Sequence, residues 1–263
     1  MAETAVRAAV LIIGSLWWED DLRSKGDRVR IAWRETYLDN YKETVQRVNV
    51  PIGYGRYSGS ARRRHYTMVF ANALARAKMG PGVGLVAPCR ASYDVDRHIS
   101  ELAIAEGINA GSDWGAVALL ANPPRAAALN TVLSKWRQSF ARRAGVNPRT
   151  PDLEKDFAVT AAGRLDIPWP KLAGTATDLD FDLLLATANK ATLVNGAYAT
   201  PATIAERFAT AGEAGAGDPR YFVENVRAGI RTADDAAIWQ AMINKKPAWK
   251  QQHPDIEALL AAP

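Results

Sequence analysis

The chain has 263 residues, of which 48% are hydrophobic and 23% are charged. This composition is typical of a folded globular protein and excludes wholesale disorder. A chain of this length can bury a substantial core, and we expect one domain over residues 1–263. The formal net charge of +5 permits binding of nucleic acid or of an acidic small molecule but requires neither.

Few residues of the chain are suited to redox chemistry or metal binding. Cys89 is the only cysteine, so an intramolecular disulfide is excluded and a reducing, cytoplasmic setting is expected. The three histidines, His65, His98 and His253, lie far apart and lack the spacing of metal ligands. We therefore expect no zinc site. No apolar stretch has the length of a membrane span, and no membrane contact is expected.

Several segments have the pattern of β-strands. Residues 8–16 form an apolar run that ends in Gly14-Ser15, which predicts a strand buried on both faces and followed by a tight turn. Residues 17–41 are mixed and charged and indicate either a helix or a long loop. A glycine-punctuated segment covers residues 53–60. Further strands are predicted from β-rich or apolar patterns at residues 44–49, 66–71, 82–87, 114–121 and 181–188.

A helix is predicted before residue 107, because Val95, Ile99 and Leu102 share one face at helical spacing. Glu106 is the next position on that apolar stripe, and Gly107 can adopt the left-handed conformation that ends helices. A carboxylate partly withdrawn from water can serve as a general base near neutral pH. On this pattern alone, a side chain that reaches solvent or pairs with an arginine is the more common interpretation.

The second half of the chain has helical patterns interrupted by prolines. Residues 125–144 predict a basic amphipathic helix. Residues 146–175 contain four prolines and predict a long connection or a lid. Three later helix starts are indicated at Thr200-Pro201, Asp218-Pro219 and Thr232, which predicts a helical C-terminal part packed on the sheet.

The turn after the first strand is the second candidate for chemistry. Backbone N–H groups at Gly14, Ser15 and Leu16, at the carboxyl end of a buried strand, can hold a carboxylate or a developing oxyanion. A glycine-serine turn with no function is far more common. The two candidates together carry more weight than either alone.

The order of these elements resembles that of the γ-glutamylcyclotransferase family. The strand-end motif of the family, Tyr-Gly-Ser-Leu, is matched by Ile13-Gly14-Ser15-Leu16, and its catalytic Glu-Gly pair is matched by Glu106-Gly107. The C-terminal part is similar to the closing helices of the ChaC branch, which acts on glutathione. The segments that carry this second likeness are 204–206, 214–215, 221–222, 229–230 and 234–235.

This resemblance implies an α+β fold, with a small bent mixed sheet or barrel, flanking helices and a helical C-terminal extension. It implies an enzyme that releases 5-oxoproline from a γ-glutamyl peptide or amine by attack of the substrate's own α-amine, with Glu106 as general acid and base. The expected substrate contacts are Ile13, Gly14, Ser15 and Leu16, and Arg56 is a candidate partner for a substrate carboxylate. No cofactor is implied.

Two departures from the family pattern affect these expectations. Ile13 replaces the family tyrosine, which removes a hydroxyl expected near the substrate and leaves open a fold relative that acts on a different amide or ester. Residues 122–180 have no counterpart in the family pattern, and we expect them to form an insertion or a lid.

The run Arg62-Arg63-Arg64 is compatible with a different function, the binding of nucleic acid. With Arg56 and Tyr57 upstream it could contact phosphates and stack on bases, and the basic helix at 125–144 could assist. A solvated loop between strands is the more common interpretation of such a run. We therefore expect a small γ-glutamyl molecule as the partner rather than nucleic acid. The sequence carries no signal for an oligomeric state.

Overall fold

The computed structural model describes residues 6–19, 25–58, 64–72, 79–90, 94–107, 115–144, 157–212 and 215–262. Within these ranges the protein is a mixed α and β structure in which helices flank a mixed β-sheet. This agrees with the expected α+β class. Among the described residues, none of the helices combines the length and the apolar character that crossing a membrane requires.

The eight strands found in the described ranges form a six-stranded sheet and a separate two-stranded hairpin. The order in the large sheet is β6-β8-β1-β5-β2-β7, and the hairpin pairs β3 with β4. The large sheet therefore has edges at β6 and β7. The strands are β1 (Ala8–Ile12), β2 (Gln46–Val50), β3 (Ile52–Tyr57), β4 (Tyr66–Phe70), β5 (Gly82–Pro88), β6 (Gly115–Ala121), β7 (Lys171–Leu172) and β8 (Leu183–Asn189).

The first strand lies at the centre of the sheet, as its continuous apolar sequence predicts. All five residues of β1 are buried. It pairs in parallel with β8 and antiparallel with β5, while the remaining neighbours in the sheet pair antiparallel. Parallel pairing has a geometric consequence for function, because the carboxyl ends of β1 and β8 then lie at the same edge of the sheet.

The glycine-punctuated segment contains a strand, β3, that its pattern did not predict. Its register with β4 shifts between Tyr54 and Arg56, which marks a β-bulge at Gly55. A Cβ atom built on Gly55 would lie 2.4 Å from the Val69 side chain across the hairpin. Glycine is therefore required here for close packing, although glycines are usually depleted in strands.

Nine α-helices are present in the described part of the chain. Residues 17–41, for which the sequence left a helix or a loop open, contain the first of them. The helices are α1 (Lys25–Tyr37), α2 (Tyr41–Thr44), α3 (Val95–Ala105), α4 (Asn130–Ala144), α5 (Pro201–Thr210), α6 (Arg220–Ala228), α7 (Asp235–Lys245), α8 (Ala248–Gln252) and α9 (Ile256–Ala261).

Helix α3 begins and ends as predicted. The side chain of Asp94 caps it by accepting a hydrogen bond from the Arg97 backbone N–H at 2.8 Å, and Gly107 has a φ of 66° at its end. Ile99 and Leu102 are buried. Ser92, the alternative cap, lies outside the described residues.

The expected basic helix starts later than predicted, at Asn130 rather than 125. Pro123–Arg125 form a short 3-10 helix before it.

Residues 122–180, where they are described, pack into the main body. Trp136, Phe157 and Leu165 belong to the core cluster. At the β6 edge, Leu119 accepts the Leu165 backbone N–H at 2.9 Å and donates its own N–H to the Gly163 carbonyl at 3.0 Å, and β7 extends the other edge of the sheet. Residues 145–156 lie outside the described part. The segment thus adds core and sheet edge, and whether it is an insertion relative to a family stays a prediction.

The C-terminal helices are joined to the sheet and to one another. Arg231 exchanges backbone hydrogen bonds of 2.8 and 2.9 Å with Val83 of β5, and its guanidinium donates to the carbonyls of Leu259 and Leu260. The same guanidinium contacts the buried carboxylate of Asp235 at 3.2 Å. Asp235 also accepts the Thr232 backbone N–H at 3.0 Å, which fixes the start of α7.

We predict that Asp235 makes stability fall as pH rises. Burial raises the pKa of Asp235 from its ordinary 3.8 to about 6, so between these values the folded state binds more protons than the unfolded state. Its contribution is fully present below pH 3.8 and is lost through pH 6. Urea unfolding from pH 4 to 7 should show wild-type stability falling relative to Asp235→Asn, and parallel profiles would contradict the assignment.

Candidate active site

A cavity of about 320 Å³ opens at the edge of the sheet where β1 and β8 end. Its size lies in the range of small-molecule sites. Five of the residues proposed from the sequence line it, namely Ile13, Gly14, Ser15, Arg56 and Glu106. Residues that the sequence did not single out line it as well: Ile12, Arg30, Ser58, Thr67, Met68, Thr187, Asn189 and Tyr221.

The topology explains why distant residues meet here. Leu11 of β1 pairs with Ala186 of β8 in parallel, so both strands reach the cavity together, β1 through its following turn and β8 through Thr187 and Asn189. The hairpin approaches from the side, because Thr192, just after β8, donates its N–H to the Gly55 carbonyl at 2.7 Å. That contact places the outer end of β3 beside the cavity.

Glu106 enters the cavity from the end of α3. One carboxylate oxygen, Oε1, accepts a hydrogen bond from the Thr187 hydroxyl at 3.1 Å. The other, Oε2, accepts from the Arg30 guanidinium at 3.1 Å, and 19% of the side chain is exposed. The carboxylate is thus held at both oxygens and remains in contact with the cavity. Glu106 therefore pairs with an arginine and also lines the cavity.

Arg30, on α1, connects the two candidate motifs. Besides Glu106 it donates to the Ser15 hydroxyl at 2.8 Å, to the Ala105 carbonyl at 3.0 Å and to the carboxylate of Glu19. Its side chain is 11% exposed. A guanidinium supplies five donors in a rigid planar fork. Here these donors form hydrogen bonds with both the turn after β1 and the end of α3.

Arg34, one helical turn after Arg30 on α1, contacts the same segment that follows β1. Arg34 is buried and donates to the carbonyl of Leu16. Leu16 is buried in the core and is not among the residues that line the cavity, so the substrate contact predicted at Leu16 stays a prediction. The turn also has internal bonds, from Trp17 N–H to the Gly14 carbonyl at 3.1 Å and from Glu19 N–H to the Ser15 carbonyl at 2.9 Å.

Tyr221 of α6 closes the cavity above Gly14. A Cβ atom on Gly14 would lie 2.6 Å from the Tyr221 hydroxyl oxygen, so only glycine permits this approach. The hydroxyl accepts the Met68 backbone N–H at 3.2 Å, and burial raises the pKa of Tyr221 above its ordinary value. The phenol therefore remains protonated at neutral pH and faces the turn as a neutral group.

Arg56 of β3 supplies a second guanidinium. Desolvation by burial lowers the pKa of Arg56, and the neighbouring Tyr221 and Glu106 act in the opposite direction. A positive charge that is partly withdrawn from water favours the binding of an anionic ligand, because ion pairing offsets the cost of desolvation. The carbonyl of Arg56 is fixed by the Thr67 hydroxyl at 3.3 Å.

Some of the unpredicted lining residues had a sequence signal and others did not. Thr187 and Asn189 are polar residues at alternate positions in the otherwise apolar strand 183–189, a pattern typical of a strand with one functional face. Tyr221 belongs to a segment noted only for family likeness. Arg30 lies in the segment whose secondary structure was ambiguous, and no local pattern distinguished it from other surface arginines.

The residues proposed for nucleic-acid binding are only partly described. Arg62 and Arg63 lie outside the described residues, and Arg64 is exposed. On the basic helix α4, Lys135 and Arg142 are within 3.8 and 3.7 Å of the Asp96 carboxylate of α3. Part of the charge of this helix is therefore used to pack α4 on α3.

Comparison of the chain with protein-family models, with curated proteins and with solved structures gives no match. Within the described residues no group of three or more histidine, cysteine, aspartate or glutamate side chains is arranged to hold a metal ion. Function must therefore be argued from the cavity and its residues.

We predict that Gly14→Ala destabilises the protein through Tyr221. Overpacking of this kind costs about 1–3 kcal/mol. In a Tyr221→Phe background the same change should cost less, since the nearest remaining ring atom lies at 3.6 Å, an ordinary contact. Urea unfolding of the wild type, both single variants and the double variant gives the coupling energy. Additive effects of the two substitutions would show that the hydroxyl is not what excludes a side chain at Gly14.

Proposed function

We propose that this protein is a γ-glutamylcyclotransferase-like enzyme, which converts a γ-glutamyl peptide or amine into 5-oxoproline and the free amine. The observation that carries the proposal is the meeting of Glu106 with the Gly14-Ser15 turn in one cavity. These are the two motifs on which the sequence resemblance depends, and they are 91 positions apart in the chain. Arg30 contacts both of them.

The reaction requires a base, a positioned carbonyl and donors for an oxyanion. The substrate α-ammonium gives a proton to Glu106, and the resulting amine attacks the γ-carbonyl carbon. A carbon–nitrogen bond forms while the carbonyl π electrons move to oxygen. When the carbonyl reforms, the bond to the departing nitrogen breaks and Glu106 returns the proton to that nitrogen. The ring nitrogen still carries two hydrogens and a positive charge, so Glu106 takes one of these protons as well and passes it to the released amine, which leaves as an ammonium. Atoms and charge balance with no co-reactant.

The arrangement of charges in the cavity supports an amino-acid-like substrate end. Glu106 offers a negative group to the ammonium, and the partly desolvated Arg56 offers a positive group to the α-carboxylate. A guanidinium binds a carboxylate with two parallel hydrogen bonds, which would orient the α-amine as well. In this proposal the backbone N–H groups of Ser15 and Leu16, with Gly14 allowing close approach, face the γ-carbonyl oxygen.

The replacement of the family tyrosine by Ile13 is compatible with this proposal. Ile13 lines the cavity as an apolar group, and a phenol from another element, Tyr221, lies against the adjacent Gly14. A tyrosine hydroxyl is thus present beside the turn although position 13 does not supply it. The substrate's amine portion is not identified by these residues, and glutathione, γ-glutamyl dipeptides and γ-glutamylamines are all to be tested.

We predict that Glu106→Gln loses at least about 100-fold in kcat, which is the lower bound for removal of a positioned general base. The measurement is 5-oxoproline release from the three substrate classes. Glutamine keeps the volume of the side chain and can accept from Thr187, but it cannot take the ammonium proton. Glu106→Asp, which retains a shorter carboxylate, should lie between the two.

The matched control is Glu101→Gln, on the same helix but outside the cavity, and it should retain wild-type turnover. Turnover by Glu106→Gln equal to that of the control would remove Glu106 from the mechanism. If the wild type turned over none of the substrates, the proposed reaction would be rejected, and amides or esters without a γ-glutamyl group would be the next substrates to assay.

A further inference from the structure

The two oxygens of the Glu106 carboxylate have partners of different charge. Oε2 accepts from the cationic Arg30 guanidinium, whereas Oε1 accepts from the neutral hydroxyl of Thr187, each at 3.1 Å. A proton that a carboxylate takes up is repelled by a neighbouring positive charge. The Arg30 contact therefore favours protonation at Oε1, the oxygen to which Thr187 donates.

A hydrogen bond at one oxygen does not by itself fix the orientation of a carboxylate. The terminal torsion of a glutamate side chain is broad and roughly two-fold, so the Arg30 contact at Oε2 leaves part of the rotation about the Cγ–Cδ bond open. The second contact, from Thr187 at Oε1, comes from a different element and restricts this rotation. The lone pairs of Oε1 then keep one direction in the cavity.

The backbone holds the two ends of this hydrogen bond to different degrees. Glu106 is the residue at which α3 ends, and helix ends fray. Thr187 belongs to β8, which lies between β6 and β1 in the large sheet, and it pairs with Val117 of β6. Side chains on the strands of a scaffold are positioned more precisely than those on loops. The strand therefore supplies the fixed end of the contact, and the Glu106 carboxylate is the group that it holds in place.

We propose that Thr187 is a positioning residue of the reaction, whose hydroxyl holds Oε1 of Glu106 towards the substrate ammonium and then towards the departing nitrogen. This inference rests on the proposed function. The contact can persist during turnover, because Oε1 has one lone pair for the Thr187 hydrogen and another for the transferred proton. Misplacement of a reacting group by about 1 Å can lower a rate about 100-fold, so the orientation of the base affects kcat.

The test compares kcat and KM for 5-oxoproline release by Thr187→Val and Thr187→Ser. Valine keeps the shape and the strand propensity of threonine but removes the hydroxyl. We expect its kcat to fall about 10- to 100-fold, with KM changed by less than about threefold. Serine keeps the hydroxyl and loses a methyl group, so it should retain most of the wild-type kcat. A packing role alone predicts the reverse order, because valine fills the space of threonine and serine leaves a gap.

The control is Thr210→Val, at the end of α5, where an exposed threonine also donates its hydroxyl, to the Glu206 carbonyl at 2.9 Å. It should retain wild-type turnover, and thermal melting checks that each variant is folded. Undiminished kcat in Thr187→Val, or a serine variant no faster than the valine variant, would overturn the positioning role and leave the proposed function intact. If the wild type released no 5-oxoproline from any of the three substrate classes, the proposed function would be rejected and the role of Thr187 would fall with it.

Discussion

The guanidinium of Arg30, on α1, joins the turn after β1 to the end of α3. It contacts Ser15 and Glu19 in the turn after β1, and Ala105 and Glu106 at the end of α3. Burying an arginine is costly unless its donors are paired, and here two carboxylates, a hydroxyl and a carbonyl accept from it. Arg30 therefore links the Glu106 carboxylate to the Gly14-Ser15 turn, while the Thr187 hydroxyl holds the other carboxylate oxygen.

The parallel pairing of β1 with β8 determines what else can reach this point. In an antiparallel pair, the end of β8 would lie at the opposite edge of the sheet, away from the turn. Thr187 and Asn189 would then have no access to Glu106 and Gly14. Parallel strands need a long crossover connection, and the elements between residues 13 and 182 supply it. The same crossover carries α1, the hairpin and α3, and each of these contributes at least one side chain to the cavity.

The sequence predicted the elements that have strong local patterns and missed those defined by distant contacts. The buried strand at residues 8–12, the Asp94 cap and the Gly107 helix end are local features, and the structure contains all three. Strand β3 was missed, because its glycines are explained by close packing, Gly55 against Val69 and Gly53 against Met79, and not by strand propensity. Arg30 was missed for a similar reason. Its partners Ser15 and Glu106 are 15 and 76 positions away in the sequence, and nothing in the residues next to Arg30 distinguishes it from an exposed arginine.

The charges around the cavity place a constraint on whatever binds there. Arg30 is shared by the carboxylates of Glu19 and Glu106, and Arg56 lines the cavity from the hairpin. A ligand that places an ammonium at Glu106 and a carboxylate at Arg56 matches both ends, whereas a simple dicarboxylate or a simple diamine matches only one. Both oxygens of Glu106 already accept one hydrogen bond, and a carboxylate has about four lone-pair sites, so each oxygen can still accept a proton from the ligand. The proposed reaction therefore does not require the contacts of Glu106 with Thr187 or Arg30 to break before Glu106 takes up a proton.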